Sequence, residues 1–283
     1  MKVSYHEYTP SPVLQPFVES YWIHRFESDA SSAFPLQKCV PLGLVNIIIH
    51  IQQQDFFVLS GNNWKRLPDA FFAGVYNEPV TWKASGPGTC FGISLKPETV
   101  LKLFKAPVAS LFNQYTELDN FFGKNIQNLA ERLYYNDDDR MLVQIAEEFF
   151  KNQLRDLEAE RNYLYQAMQM IRNSKGSISI EQLSKNLYVS ERQLQRSFKE
   201  TLGATPKTYT RIIRFRNAYE RVQTARAASL SWTDVTYDFG YSDQAHLIRD
   251  FKEFMGSKPT CLINDLNGQE YFQFREVDFI HAN

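Results

Sequence analysis

The chain has little from which to build a catalytic or metal centre. Its 283 residues include three cysteines, Cys39, Cys90 and Cys261, with no CxxC pair among them, and no histidine at metal-finger spacing. Zinc fingers and disulfide scaffolds are thereby excluded, and a reducing compartment, the cytoplasm, is the expected location. No run approaches the ~18 apolar residues that a membrane helix needs, and the opening MKVSYHEYTPSP lacks the apolar core of a signal peptide. Neither a Ser/His/Asp constellation, nor a glycine-rich phosphate loop, nor a carboxylate pair is legible, so no catalytic residues, metal or cofactor are expected.

Aromatic residues make up 14% and charged residues 22%, the composition of a folded chain, and the length fits about two domains. The net charge of -1 conceals a partition. Residues 173–262 carry about +5 and the remainder about −6, an asymmetry that favours a polyanionic partner for the basic part.

From Tyr5 to Lys96 the pattern is short, β-branched and aromatic, interrupted by Pro, Gly and Asn. Six strands are expected, at 20–26, 44–51, 56–59, 71–75, 80–84 and 90–95, and their number suggests a barrel or sandwich. His24 and His50 fall in strands and are expected to be hydrogen-bonded or half-exposed rather than ligands. Trp22, Trp64 and Trp82 could line a pocket, although strand aromatics are more often core. Helices are expected at 98–103, 118–134 and 138–154, the last with Leu142, Ile145, Ala146 and Phe149 on one side, available to pack on the sheet or to pair with a second subunit.

The second half is organised around a repeat. SERQLQRSFKETLGATP, Ser190 to Pro206, recurs as DQAHLIRDFKEFMGSKP, Asp243 to Pro259, with Leu, Arg, Phe, Lys, Glu, Gly and Pro coinciding at one offset of 53. Each copy has a capping residue (Ser190, Asp243), an apolar stripe at i, i+4, i+8 and a glycine stop (Gly203, Gly256). The opposite faces carry Arg192, Gln195, Arg196 and Lys199 in the first copy, and Gln244, Ala245, His246, Arg249 and Lys252 in the second. Forked donors and amides on such a face match base edges in a major groove, and lysines match phosphates. Short amphipathic helices, Ser179 to Leu187 and Ser231 to Phe239, precede the copies through turns that differ by one residue. This is the helix-turn-helix plan, twice. A longer helix from Pro206 to about Gln223 joins them, with Arg211, Arg214 and Arg216 interleaved among its apolar residues.

SERQLQRSFKETLGATPKTY, RIIRFRNAYERV and DFGYSDQAHLIRDFKEFMGSKP together resemble the DNA-binding domain of the AraC/XylS family of regulators, over roughly 162–262. The resemblance implies seven helices in two modules whose recognition helices enter successive major-groove segments on one face of the DNA. It places Arg192, Gln195, Arg196, Gln244, Ala245, His246 and Arg249 at the bases, and Lys199 and Lys252 at the backbone. Ser184 and Thr236 stand where alanine is usual, and can hydrogen-bond back into their own helices. Cys261-Leu262 replaces a common tyrosine-arginine ending. The N-terminal half resembles, more weakly, a sensor-type domain found before such modules, through EYTPSPVLQPFVESYW, VPLGLVNIIIH, FFAGV and FGISLKPETV.

The expected architecture is α+β: a β-rich barrel or sandwich with appended helices (1–154), an all-α domain with two helix-turn-helix modules (155–265) and a tail (266–283) that is either an added strand or loose. The expected function is sequence-specific binding of double-stranded DNA in transcription regulation, with the first domain sensing a small molecule or mediating dimerisation. The rival is a β-rich enzyme fused to a DNA-binding module, such as a repair activity using Cys39 or Cys90. A third possibility is an interaction domain whose interior is filled by side chains.

Overall fold

The computed structural model describes residues 2–27, 36–51, 55–104, 108–118, 123–155, 162–224, 231–264, 271–272 and 278–281. Strands dominate the first part: β1 (Lys2–Thr9), β2 (Val18–Glu27), β3 (Gln37–Cys39), β4 (Val45–Ile51), β5 (Phe56–Ser60), β6 (Asn63–Arg66), β7 (Ala70–Ala73), β8 (Val80–Ala84), β9 (Gly88–Leu95) and β10 (Tyr115–Glu117). Helices α1 (Pro97–Phe104), α2 (Gly123–Tyr134) and α3 (Asp139–Leu154) accompany them. The second part comprises α4 (Tyr163–Asn173), α5 (Ile180–Leu187), α6 (Glu191–Leu202), α7 (Pro206–Thr224), α8 (Trp232–Asp238), α9 (Gln244–Met255) and α10 (Cys261–Asn264). Two late strands follow, β11 (Tyr271–Phe272) and β12 (Asp278–His281).

The strands form two sheets, β10-β7-β4-β9-β2-β1-β12 and β11-β3-β8-β5-β6. Period-two alternation gives the first sheet two apolar faces. Val45, Ile47, Ile49 and Ile51 of β4 face outward with Tyr21 and Ile23 of β2, into a core shared with Leu129 of α2 and Phe150 of α3. Trp22, Phe26, Phe71 and Cys90 face inward and meet Phe56 and Val58 of the second sheet. The tail supplies edge strands, β12 parallel to β1 and β11 parallel to β3.

Helix α3 packs on the outer face of the first sheet. Leu142, Val143, Ile145, Ala146 and Phe150 are buried there, so Phe150 rather than the expected Phe149 is the deepest aromatic. Asp138 caps the helix through Met141 N–H, Asp139 accepts from Tyr8 Oη at 2.8 Å and pairs with Arg25, and Glu147 accepts from Ser11 N–H at 2.9 Å.

The outer core continues without a break into the helical part, through Leu183, Leu194, Phe198, Tyr209, Phe215, Leu247 and Phe251. Polar ties reinforce the junction. Arg172 of α4 donates to Glu98 of α1 (Nη1 to Oε2, 2.9 Å) and to Tyr209 Oη (3.2 Å), and Val108 N–H donates to Thr201 O, near the end of α6, at 2.9 Å. Gly203 lies against Phe112 and the Ala109 carbonyl, where a side chain would have no room.

Candidate functional sites

The two repeated helices are built as the sequence indicates. Ser190 accepts from Gln193 N–H (3.2 Å) and Asp243 from His246 N–H (2.7 Å), which satisfies first-turn amides. Leu194, Phe198 and Leu202 of α6, and Leu247, Phe251 and Met255 of α9, are buried. Gly203 and Gly256 close the helices at φ +77° and +78°, the left-handed region where glycine carries no Cβ penalty. Helix α5 begins with a reciprocal capping box between Ser179 and Gln182. Ser184 Oγ donates to Glu181 O and Thr236 Oγ1 to Trp232 O, so the small polar substitutes are satisfied inside their own helices.

The opposite faces are open. Arg192, Gln195, Arg196 and Lys199 of α6 are exposed, as are Gln244, Ala245, Arg249 and Lys252 of α9, while His246 is half-buried. Lys199 Nζ donates to the Gly203 carbonyl at 2.8 Å, so it caps the C-terminal end of α6. His246 packs edge-on against Tyr241, with Nδ1 3.3 Å from Ser242 Oγ. Gln244 Nε2 lies 3.4 Å from Thr233 Oγ1 of α8.

Sequence reasoning left Arg211, Arg214 and Arg216 of α7 without a role, and in the structure all three are ties. Arg211 grips α9, donating to Asp250 at 2.7 Å and Glu253 at 2.6 Å with its guanidinium over the Phe254 ring. Arg214 donates twice to Gly176 O, between α4 and α5, and lies over Tyr241. Arg216 leaves the helical part altogether, pairing with Glu19 of β2 and donating from Nε to Glu220 at 2.7 Å.

Arg216 stands at the mouth of a cavity of about 560 Å³ between the sheets. The interior is therefore open, against the filled alternative. Trp22, Trp82, Phe71, Tyr76 and Tyr115 give it an aromatic wall, and Glu220, Gln223 and Thr224 from the last turns of α7 line it beside Arg216. Trp64 lies elsewhere, on β6, under the Lys83 ammonium. Gly92 makes the wall possible, because a Cβ there would overlap the Trp22 indole. Trp22 Nε1–H donates to Ser94 Oγ (3.2 Å), which in turn donates to Asn46 Oδ1 (2.7 Å), a polar chain of three residues that all line the cavity. Glu7 lies opposite Trp22 in the β1–β2 ladder and lines the mouth. Burial pushes its carboxyl up to about 7, opposed by a hydrogen bond from Ser20.

His24 and His50 differ from expectation. Both are buried, 4% and 2% exposed, packed among aromatics, with Nδ1 lacking a hydrogen-bond partner among the described residues. Burial lowers each to about 3, so both are neutral imidazoles. No group of residues suited to hold a metal occurs among the described residues. The cavity thiols are protonated: burial pushes Cys39 up to about 11, against a hydrogen bond from Trp82 Nε1–H, and raises Cys90 well above its usual range. A reactive-cysteine enzyme needs a thiolate, which these surroundings oppose. Glu7, Ser20, Asn46 and Ser94 were not singled out in the sequence. For Ser20, Asn46 and Ser94 the one signal is a polar residue at the inward register of an otherwise apolar strand, and Glu7 has none.

Residues 6–117 match a domain of unknown function (DUF6597), and residues 183–264 match a helix-turn-helix domain. Among characterised proteins, the chain is similar to the probable thc operon regulatory protein of Rhodococcus erythropolis, 29% identical over 83 residues (29% of this chain, 25% of that protein). It is also similar to the Msm operon regulatory protein of Streptococcus mutans serotype c, 23% identical over 176 residues (58% and 62%). The chain thus spans less than two thirds of either relative's length. Among solved structures it is similar to ToxT from Vibrio cholerae, with a TM-score of 0.48 and 11% identity, covering 88% of this chain and 98% of that one.

Proposed function

We propose that this chain, whose residues 183–264 match a helix-turn-helix domain, is a regulator of the AraC type that binds double-stranded DNA sequence-specifically in transcription regulation, gated by a small molecule held between the two sheets. The observation that carries the first half is the pair of capped helices α6 and α9, apolar on one face and open on the other with arginine and amide donors. Arg192, Gln195, Arg196, Gln244, Ala245, His246 and Arg249 read bases. Lys199 and Lys252 bind phosphates, Lys199 by exchanging the Gly203 carbonyl for a phosphate oxygen. The division of labour falls near residue 155, with the tail strands serving the sensing unit.

Sensing is preferred to dimerisation through α3, because the apolar stripe of that helix is already buried against the sheet. Two modules in one chain allow binding as a monomer, and the cytoplasm is where such a protein meets DNA. The experiment is a binding selection from randomised duplexes with the wild type, Arg196→Ala and Arg249→Ala. Each variant is expected to relax preference at a separate base position, by about 1–3 kcal/mol, while Lys252→Ala lowers affinity for all sequences and shallows the salt dependence. Unchanged site preference in both arginine variants would remove α6 and α9 as the reading elements.

A further inference from the structure

The cavity selects by charge. Its acidic lining side chains are Glu7, Glu19, Glu78 and Glu220, and among the described residues its one lysine or arginine is Arg216. Arg216 is already committed to Glu19 and Glu220. His50 is neutral and its Nδ1, buried on the same wall, has no partner among the described residues. An anionic head entering here would meet carboxylates and the negative faces of aromatic rings, with no uncommitted cation among the described lining residues to receive it. A cation meets the reverse. Glu7 and Trp22 are register partners on adjacent strands and both line the cavity, so a cation beside Glu7 has a carboxylate on one side and the aromatic wall on the other. The rest of the wall, toward Trp82 and Phe71, suits a ring or short hydrocarbon, and a volume of about 560 Å³ lies in the range of small-molecule sites.

We propose that the cavity takes a monocationic amine with an aromatic or apolar body, its ammonium held between Glu7 and Trp22 and its body along the aromatic wall. This rests on the reading of the sheets as a sensing unit, and gives that unit a ligand class. Occupancy would be felt by α7, because the helix that carries Arg216 and Glu220 at the mouth also carries Arg211 and Arg214, which hold α9 and the α4–α5 connection.

The test uses the full chain and three matched probes: 3-phenylpropylamine, 3-phenylpropan-1-ol and 3-phenylpropanoate. Affinity is measured by calorimetry and occupancy by the fluorescence of the lining tryptophans. The amine is expected to bind at least tenfold more tightly than the alcohol, and the carboxylate most weakly. Glu7→Gln is expected to bring the amine to the level of the alcohol while leaving the alcohol within about twofold. The wild-type ranking decides the matter even if that variant folds poorly. A carboxylate equal to or tighter than the amine, an amine indifferent to Glu7→Gln, or no binding by any probe overturns the proposal. None of these outcomes bears on the duplex selection, so failure of the ligand class and failure of the regulator reading are separable.

Discussion

Glu7 is surrounded by Ser20 and Glu19 from β2 and by Arg216 and Glu220 from α7, and burial is the largest influence on it. Because its folded value of about 7 exceeds the ordinary 4.5, folding favours its protonated form. Its contribution is harmless below pH 4.5, turns increasingly unfavourable as pH rises toward 7, and is then constant at no more than about 3 kcal/mol. Glu7→Gln is therefore expected to raise the melting temperature at pH 8 and to leave it nearly unchanged at pH 4.5; an equal effect at both would place the residue in a solvated setting. A second residue-scale cost lies in the turns before the reading helices. Gly240 takes φ +69° in the second module, but the matching position in the first is Tyr188, at φ +55° and 96% exposed. Tyr188→Gly is expected to stabilise the chain by about 1 kcal/mol in urea titration. Glu7 could not be found from the sequence as a functional group, because its strand, KVSYHEYT, mixes polar and aromatic residues on both faces and resembles an exposed edge.

At the scale of elements, the caps, stripes and stops of α5, α6, α8 and α9 were legible, since each depends on residues a few positions apart. The arginines of α7 were not, because their partners Asp250, Gly176 and Glu19 lie between 38 and 197 positions away. Proximity of that kind comes from the fold and leaves no local pattern. Short strands such as β3, β6 and β10 escaped for the same reason, being held by their neighbours in the sheet rather than by their own propensity. Arg211 is the tie with the clearest energetic role, for Asp250 is 1% exposed and its charge is met from α7. Arg211→Ala is expected to cost about 3 kcal/mol by leaving that carboxylate buried alone, with part of the loss recovered by adding Asp250→Asn. A loss below about 1 kcal/mol in thermal or urea unfolding would mean that α9 is held by apolar packing alone.

For the whole molecule, the succession of a strand-rich part and a helical part was visible in composition and pattern, yet the shared core was not, because apolar periodicity marks which face of a helix is buried and not what covers it. One outer core runs from β4 through α3 to α7 and α9. Unfolding is accordingly expected to be a single transition, with far-UV circular dichroism and tryptophan fluorescence giving coincident curves. Two separated transitions would show that the halves stand independently.

The second turn is one residue longer than the first, and α6 presents Arg192, Gln195 and Arg196 where α9 presents Gln244, Ala245 and His246. With α6 and α9 reading bases as proposed, a chain whose two helices differ in this way has a head and a tail. It would recognise a site without mirror symmetry and lie on it with fixed polarity, so that inverting the site within a promoter would turn the sensing half toward the other flank, and with it whatever that half meets there.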